Sequence, residues 1–256
     1  MIQQRTVIVT GAAGTIGFAI AQAFAHSGDH VVIVDLKKEE AIHAAHKITQ
    51  ETGIEASAYP VDITDEEQVK GLVEKVIKKQ GRIDVIVNNA GLQHIDSIEN
   101  FPLEKWNQLI NVMLTGPFLL IKHSVPWMKQ QRYGRIINIS SVHGKTASPF
   151  KAAYISAKHG IIGLSRTVAL ETASYGITVN SILPGAVDTP LIQNQLQKLS
   201  ETEGISREDA LHKHLLNKQM IKRFIKPEEV AGCAVYLASD LAASITGEEI
   251  RVSGGW

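Results

Sequence analysis

The chain is poor in several things at once. It has one cysteine, Cys233, and only 5% aromatic residues among 256. A single thiol forms no internal disulfide, so a buried core has to hold the fold. The surrounding VAGCAVYLAS reads as an apolar helix face on which a free thiol sits as a small hydrophobe, in a reduced, cytoplasmic setting. Net charge is also missing: 26 basic and 26 acidic residues cancel, and no run of lysine or arginine exceeds two. Nothing therefore directs the chain to nucleic acid or to an anionic membrane surface, and the expected partner is a small molecule. The sequence enters a strand pattern at RTVIVT without room for a signal peptide, and no apolar run is read as long enough to span a membrane. Internal repeats, low-complexity tracts and linkers are absent. No metal site is expected either: His212 and His214 in HKHLL have the wrong spacing for one helical face.

What the chain does have is alternation. Short β-branched runs (RTVIVT, HVVIVD, IEASAYP, RIDVIVNNAG, GRIINIS, ITVNSILPG) are followed by helical patterns at Thr15 to Ser27, Lys38 to Thr52, Asp65 to Gln80, Leu103 to Gln131 and Ala152 to Ser174. Strands that are apolar nearly throughout, each followed by an amphipathic helix, predict a parallel sheet covered on both faces. The expectation is a single α/β domain over residues 1–256, doubly wound. After the break at Pro184 and Gly185, the stretch Leu191 to Arg223 is polar and helical in pattern. An insertion of about residues 190–223 at the carboxyl edge of a strand reads either as a substrate lid or as a plain helical pair.

Two clusters of residues carry chemistry. TGAAGTIG, with Gly11, Gly14 and Gly17, joins the first strand to a helix, where a glycine turn lets the backbone approach a pyrophosphate at the helix N-terminus. Asp35 ends the second strand, 18 residues beyond Gly17. A carboxylate there accepts hydrogen bonds from ribose hydroxyls and repels a 2′-phosphate, which favours NAD over NADP; Lys37 and Lys38 argue the other way, but read as a solvated helix start. Asp62 either accepts from the adenine amino group or belongs to a turn. NNAG, Asn88 to Gly91, braces the sheet, lines the cleft, or both. The second cluster is SSVHGKTASPFKAAYISAK. Tyr154 and Lys158 at i and i+4 share a helix face, and an ammonium beside a phenol favours the phenolate and lowers the tyrosine pKa toward working range.

Taken together, TGAAGTIG, Asp35, Asp62, NNAG, Ser141, the Tyr154 and Lys158 pair, and the PG of Pro184 and Gly185 followed by Thr189 resemble the short-chain dehydrogenase/reductase family over essentially the whole chain. The resemblance implies a seven-stranded parallel sheet ending in GEEIRVSGG, a homotetramer, and an NAD cofactor. It implies that Ser141 binds the substrate oxygen, that Tyr154 is the acid/base, and that Lys158 holds the nicotinamide ribose and depresses the tyrosine pKa. Cofactor contacts would fall on Gly11, Thr15, Ile16, Gly17, Asp35, Asp62, Ile63, Asn89, Gly91, Tyr154, Lys158, Pro184, Gly185, Val187 and Thr189. Two departures stand out. Thr15 occupies the middle glycine of the family pattern T-G-x-x-x-G-x-G, and Met113 in INVMLTGPF occupies a position where the family usually has a proton-relaying asparagine. Asn111, two positions earlier, falls on the opposite helix face.

Within that family, NNAGLQHI, SSVHG, KAAYISAKHG and the GGW ending in Trp256 resemble the (R)-3-hydroxybutyrate dehydrogenases. The resemblance implies that Gln93, His143, Lys151 and Gln195 bind a small carboxylic-acid substrate, with Trp256 either near the pocket or packed on a neighbouring subunit. Ala186 stands where those enzymes often have a tryptophan. Rival expectations are a 3-oxoacyl-[acyl-carrier-protein] reductase, a sugar or polyol dehydrogenase, and a redox-sensing NAD-binding protein without turnover.

Overall fold

The β-branched runs become strands and the amphipathic stretches become helices in the computed structural model, which describes residues 4–256 apart from the side chains of Leu191, Gln195, Lys198 and Thr202. Seven strands, β1 (Thr6–Thr10), β2 (His30–Asp35), β3 (Ala56–Pro60), β4 (Val85–Asn88), β5 (Gly134–Ile139), β6 (Ile177–Pro184) and β7 (Glu249–Val252), form one parallel sheet in the order 3-2-1-4-5-6-7. All positions of β1, β4, β5 and β6 are buried, which is why they read as continuous rather than alternating apolar runs.

Helices fill the gaps: α1 (Thr15–His26), α2 (Lys38–Thr52), α3 (Glu66–Gln80), α4 (Leu103–Ile110), α5 (Gly116–Gln131), α6 (Ala152–Thr172), α7 (Pro190–Glu203), α8 (Arg207–His214) and α9 (Pro227–Leu237). Their apolar spacing decides how they sit. On α2, Ala41, Ala44, Ala45 and Ile48 are buried, and on α3, Val69, Leu72, Val73 and Val76, both at the i, i+3, i+4, i+7 spacing of one helix face. The α3 face starts where Asp65 caps the helix by accepting the Gln68 N–H. One core layer joins the sheet to α1, α2 and α9 around Ile20, Phe24, Ile48 and Leu237; the other joins it to α3 and α5 around Leu72, Val76, Leu120 and Met128. Each such fully buried side chain contributes about 1.5–3 kcal/mol relative to exposure.

The chain leaves β1 toward β2 and β3 on one side and, through β4, toward β7 on the other. The reversal lies between β1 and β4, and the crevice opens at the carboxyl ends of those strands. Two segments differ from a plain reading of the sequence. The helix expected over Leu103 to Gln131 contains a π turn, Asn111–Thr115, between α4 and α5. The joined helix also corrects the expectation that no segment reaches membrane-span length. By length and a mean hydropathy of 1.2 it does, although it packs against α3 and α6 of the same chain. After β6, α7 and α8 fold back with a small core of their own, Leu196, Ala210 and Leu215 buried with Ala186 and packed by Trp256.

Candidate active site

A cleft of about 800 Å³ runs along the carboxyl ends of the strands, and every residue assigned above to the cofactor lines it. At its phosphate end Gly11 has φ +60°, and a Cβ there would sit 2.8 Å from Ala90 Cα; a Cβ on Gly17 would sit 2.3 Å from the Gly11 carbonyl oxygen. The turn therefore folds back on itself more tightly than any side chain permits. Thr15 in place of a glycine leaves this intact, because it is exposed at the start of α1 and Gly14 takes the N-cap without a side-chain cap. The first-turn N–H groups of α1 are left for an anionic ligand, so the turn fits a pyrophosphate.

The turn is braced from β4. Asn89 Nδ2 donates to the carbonyls of Thr10 (3.0 Å) and Gly11 (3.1 Å), while Asn88 Nδ2 donates to Asn138 Oδ1 (2.8 Å) inside the sheet. The first asparagine of NNAG thus braces strands, and the second holds the glycine turn and lines the cleft. Asp35 accepts from the Ala13 N–H at 3.2 Å and keeps its carboxylate on the cleft wall. Lys37 pairs with Glu40 at 2.7 Å, so its charge is already matched. Asp62 proves to be a turn residue as well as a cleft residue: its Oδ1 accepts both the N–H and the hydroxyl of Thr64 (2.9 and 2.7 Å). Thr189 lines the cleft and caps α7 through the Ile192 N–H.

At the reacting end, β5 delivers Ser141 and α6 delivers Tyr154 and Lys158 to the same cleft. Ser141 Oγ accepts the His143 N–H at 3.1 Å, which fixes the following 3-10 turn. Lys158 is buried, donates to the Ile139 carbonyl at 2.7 Å, and lies 5.6 Å from the centre of the Tyr154 ring. Burial pushes the lysine down to about 8. Here the structure corrects the sequence reading of the pair. In the protein alone, burial raises the Tyr154 phenol above its ordinary value, opposed by a hydrogen bond with Ser141, while the Lys158 ammonium donates to a main-chain carbonyl.

Met113 is buried with Leu109, Ala153 and Ala157. A Cβ built on Gly91 would lie 3.7 Å from Met113 Sδ and 4.0 Å from Lys158 Nζ, so thioether and ammonium flank the same glycine. Asn111 is exposed on the cleft wall. The two remain on different sides of the helix, as their spacing predicts.

Beyond Tyr154 the polar residues divide. His143 and Lys151 are 8% and 7% exposed. The His143 ring meets Tyr154 edge-on at 6.4 Å and Trp256 at 5.7 Å, so Trp256 packs against His143 of its own chain. His143 Nδ1 has no hydrogen-bond partner among the described residues. Burial, then the Lys151 charge, pushes the imidazole down to about 4, leaving it neutral at pH 7; burial, then Lys218, pushes Lys151 down to about 8. None of His143, Lys151 and Gln93 is among the residues that line the cleft, and the Gln93 side-chain carbonyl oxygen accepts the neighbouring His94 N–H at 3.2 Å. The Gln195 side chain lies outside the described residues.

Sequence reasoning missed the groups that act through the main chain. Ser140 Oγ donates to the Lys158 carbonyl at 2.8 Å, locking α6 to the end of β5, and the Ile139 carbonyl orients the lysine. The paired serines were the only signal for the first, and no sequence signal exists for the second.

Comparison with known proteins agrees with this geometry. The family model described as enoyl-(acyl carrier protein) reductase matches residues 11–256. An oxidoreductase of Bacillus subtilis (strain 168), named uncharacterized oxidoreductase YxjF, is 46% identical over 255 residues, covering 100% of this chain and 99% of its own. A D-beta-hydroxybutyrate dehydrogenase of Rhizobium meliloti (strain 1021) is 42% identical over 256 residues, covering 98% of each chain. Among solved structures, NAD+-bound xylitol dehydrogenase superimposes with a TM-score of 0.92 at 30% identity, covering 100% of both chains.

Proposed function

The chain belongs to the short-chain dehydrogenase/reductase family, and from that premise we propose that it is an NAD-dependent dehydrogenase interconverting (R)-3-hydroxybutyrate and acetoacetate. The observation that carries the substrate is the pair His143 and Lys151: both are buried, the His143 ring meets Tyr154, and neither has a carboxylate partner among the described residues. A buried ammonium is costly unless something anionic meets it. A small acid supplies that charge, and an acid bound there keeps its C3 within reach of Tyr154.

The choice of NAD rests on Asp35, whose carboxylate on the cleft wall disfavours a 2′-phosphate, and on Lys37, whose charge is matched by Glu40. When bound, the oxidised nicotinamide supplies a hydride acceptor and a positive charge. The chain's own residues do the rest. Gly11, Gly17 and the α1 N-terminus cradle the pyrophosphate, while Lys158 holds a ribose hydroxyl. Ser141 and Tyr154 hydrogen-bond the substrate oxygen. Tyr154 accepts the hydroxyl proton as the C3 carbonyl forms, with the Lys158 charge favouring the phenolate. His143 and Lys151 hold the carboxylate, so that orientation is settled by binding.

The rival within the family is reduction of a 3-oxoacyl thioester on a carrier protein, the activity named for a relative from Thermotoga maritima that is 37% identical to this chain. A thioester has no free carboxylate. Lys151→Ala is expected to raise KM for the free acid by about tenfold or more, since it strands the acid's charge, and to change kcat little. An equal KM for variant and wild type would refute the acid reading and favour the thioester.

A further inference from the structure

We propose that Lys218 is a specificity-determining residue of the acid site, a second cation that Trp256 holds at the mouth of the pocket for the substrate carboxylate. This deepens the acid-substrate reading and rests on it.

Lys218 ends a 3-10 turn, Leu216–Lys218, that follows α8. Its ammonium lies 5.3 Å over the Trp256 ring, and that ring meets His143 edge-on at 5.7 Å. A row of rings thus runs from Lys218 through Trp256 and His143 to Tyr154. The placement is fixed from below. Gln219, 1% exposed, accepts the Ala186 N–H at 2.9 Å and donates to the carbonyls of Ile221 and Arg223 (3.1 and 2.9 Å). The N–H groups of Met220 and Ile221 both donate to the Gly254 carbonyl (2.8 and 2.9 Å). The backbone carrying Lys218 is therefore clasped to the end of β6 and to the segment that carries Trp256.

The charge balance around this clasp is one-sided. Nearby lysines are matched: Lys213 pairs with Glu203, and Lys222 donates to the Leu216 and Asn217 carbonyls. Lys218 and Lys151 have neither a carboxylate nor a hydrogen-bond acceptor among the described residues, and the positive charge of Lys218 helps to hold Lys151 below its ordinary value and acts on His143 in the same direction. Two like charges that act on each other without an anion between them repel until one enters. Lys218 remains exposed while its ammonium lies over the Trp256 ring. Its contribution is of the rim type, to capture and affinity more than to the chemical step.

The test uses reduced cofactor with (R)-3-hydroxybutyrate, a pair that cannot react, so that binding is read alone. The dissociation constant of the acid is measured by calorimetry on wild type, Lys218→Gln and Lys218→Arg, alongside its methyl ester, and the steady-state constants are measured with NAD. The expected result is a loss of about tenfold in acid affinity for Lys218→Gln. It should be restored by arginine, absent for the ester, and fall on KM rather than kcat. Equal acid affinity in wild type and Lys218→Gln would overturn the inference while leaving the acid reading intact. No detectable acid binding to wild type would overturn both.

Discussion

Tyr154 sits where two demands conflict. The cleft that shelters the reaction from water also raises the phenol above its ordinary value, so the tyrosine is a poor base until positive charge is brought to it. Lys158 supplies part of that charge from 5.6 Å, tethered to the Ile139 carbonyl. Tyr154→Phe is expected to reduce kcat/KM by at least about a hundredfold, with NAD affinity unchanged, as steady-state and cofactor-binding measurements would show. A second prediction follows from Lys151. Burial and the Lys218 charge both disfavour its ammonium, so it is protonated below about 8 and neutral above. His143, at about 4, stays neutral through this range and does not compensate. The ratio of kcat/KM for the acid to that for its methyl ester should therefore be flat between pH 6 and 7 and fall above about 8. Taking the ratio cancels the titration of Lys158 and Tyr154, which acts on both substrates. The sequence showed which residues to combine here. It could not show the direction of the tyrosine shift, because that depends on how deeply the fold buries the phenol, against the hydrogen bond with Ser141.

At the scale of elements, the glycine turn and the long helix behave differently as sequence signals. Gly11 and Gly17 mark a strand-to-helix turn that only one backbone path satisfies, and the structure follows it with Thr15 outside the tight contacts. Gly17→Ala would drive a methyl group to 2.3 Å from the Gly11 oxygen and 2.5 Å from Asn89 Nδ2. It should weaken NAD binding by about tenfold or more and lower Tm, since backbone strained at the anion site cannot present the same N–H groups. The helix from Leu103 to Gln131 was legible as a helix, but its π turn was not. The π turn holds the buried Met113 between α4 and α5, which is a property of packing and not of local propensity. The Gln219 clasp was hidden for the same reason, since a glutamine in a polar stretch reads as solvated until its three main-chain partners are seen.

Across the whole molecule, the strand order puts the glycine turn, Asp35 and Asp62 on the side of β1 to β3 and Ser141, Tyr154 and Lys158 on the side of β5 and β6, and the cleft spans both. The fold was almost fully legible because strands buried on both faces and helices apolar on one leave few other arrangements. The proposed choice of NAD belongs to this scale, since it rests on Asp35 at the end of β2. Asp35→Ser should raise the kcat/KM ratio of NADP to NAD by roughly tenfold or more, with the ratio of substrates unchanged. The central claim is that this cleft oxidises a small 3-hydroxy acid recognised by its charge. The most direct test is reduced-nicotinamide absorbance with purified protein, NAD, and either (R)-3-hydroxybutyrate or its methyl ester. Turnover of the acid with little or none of the ester is the predicted result. Turnover of the ester at a kcat/KM equal to or above that of the acid would contradict it.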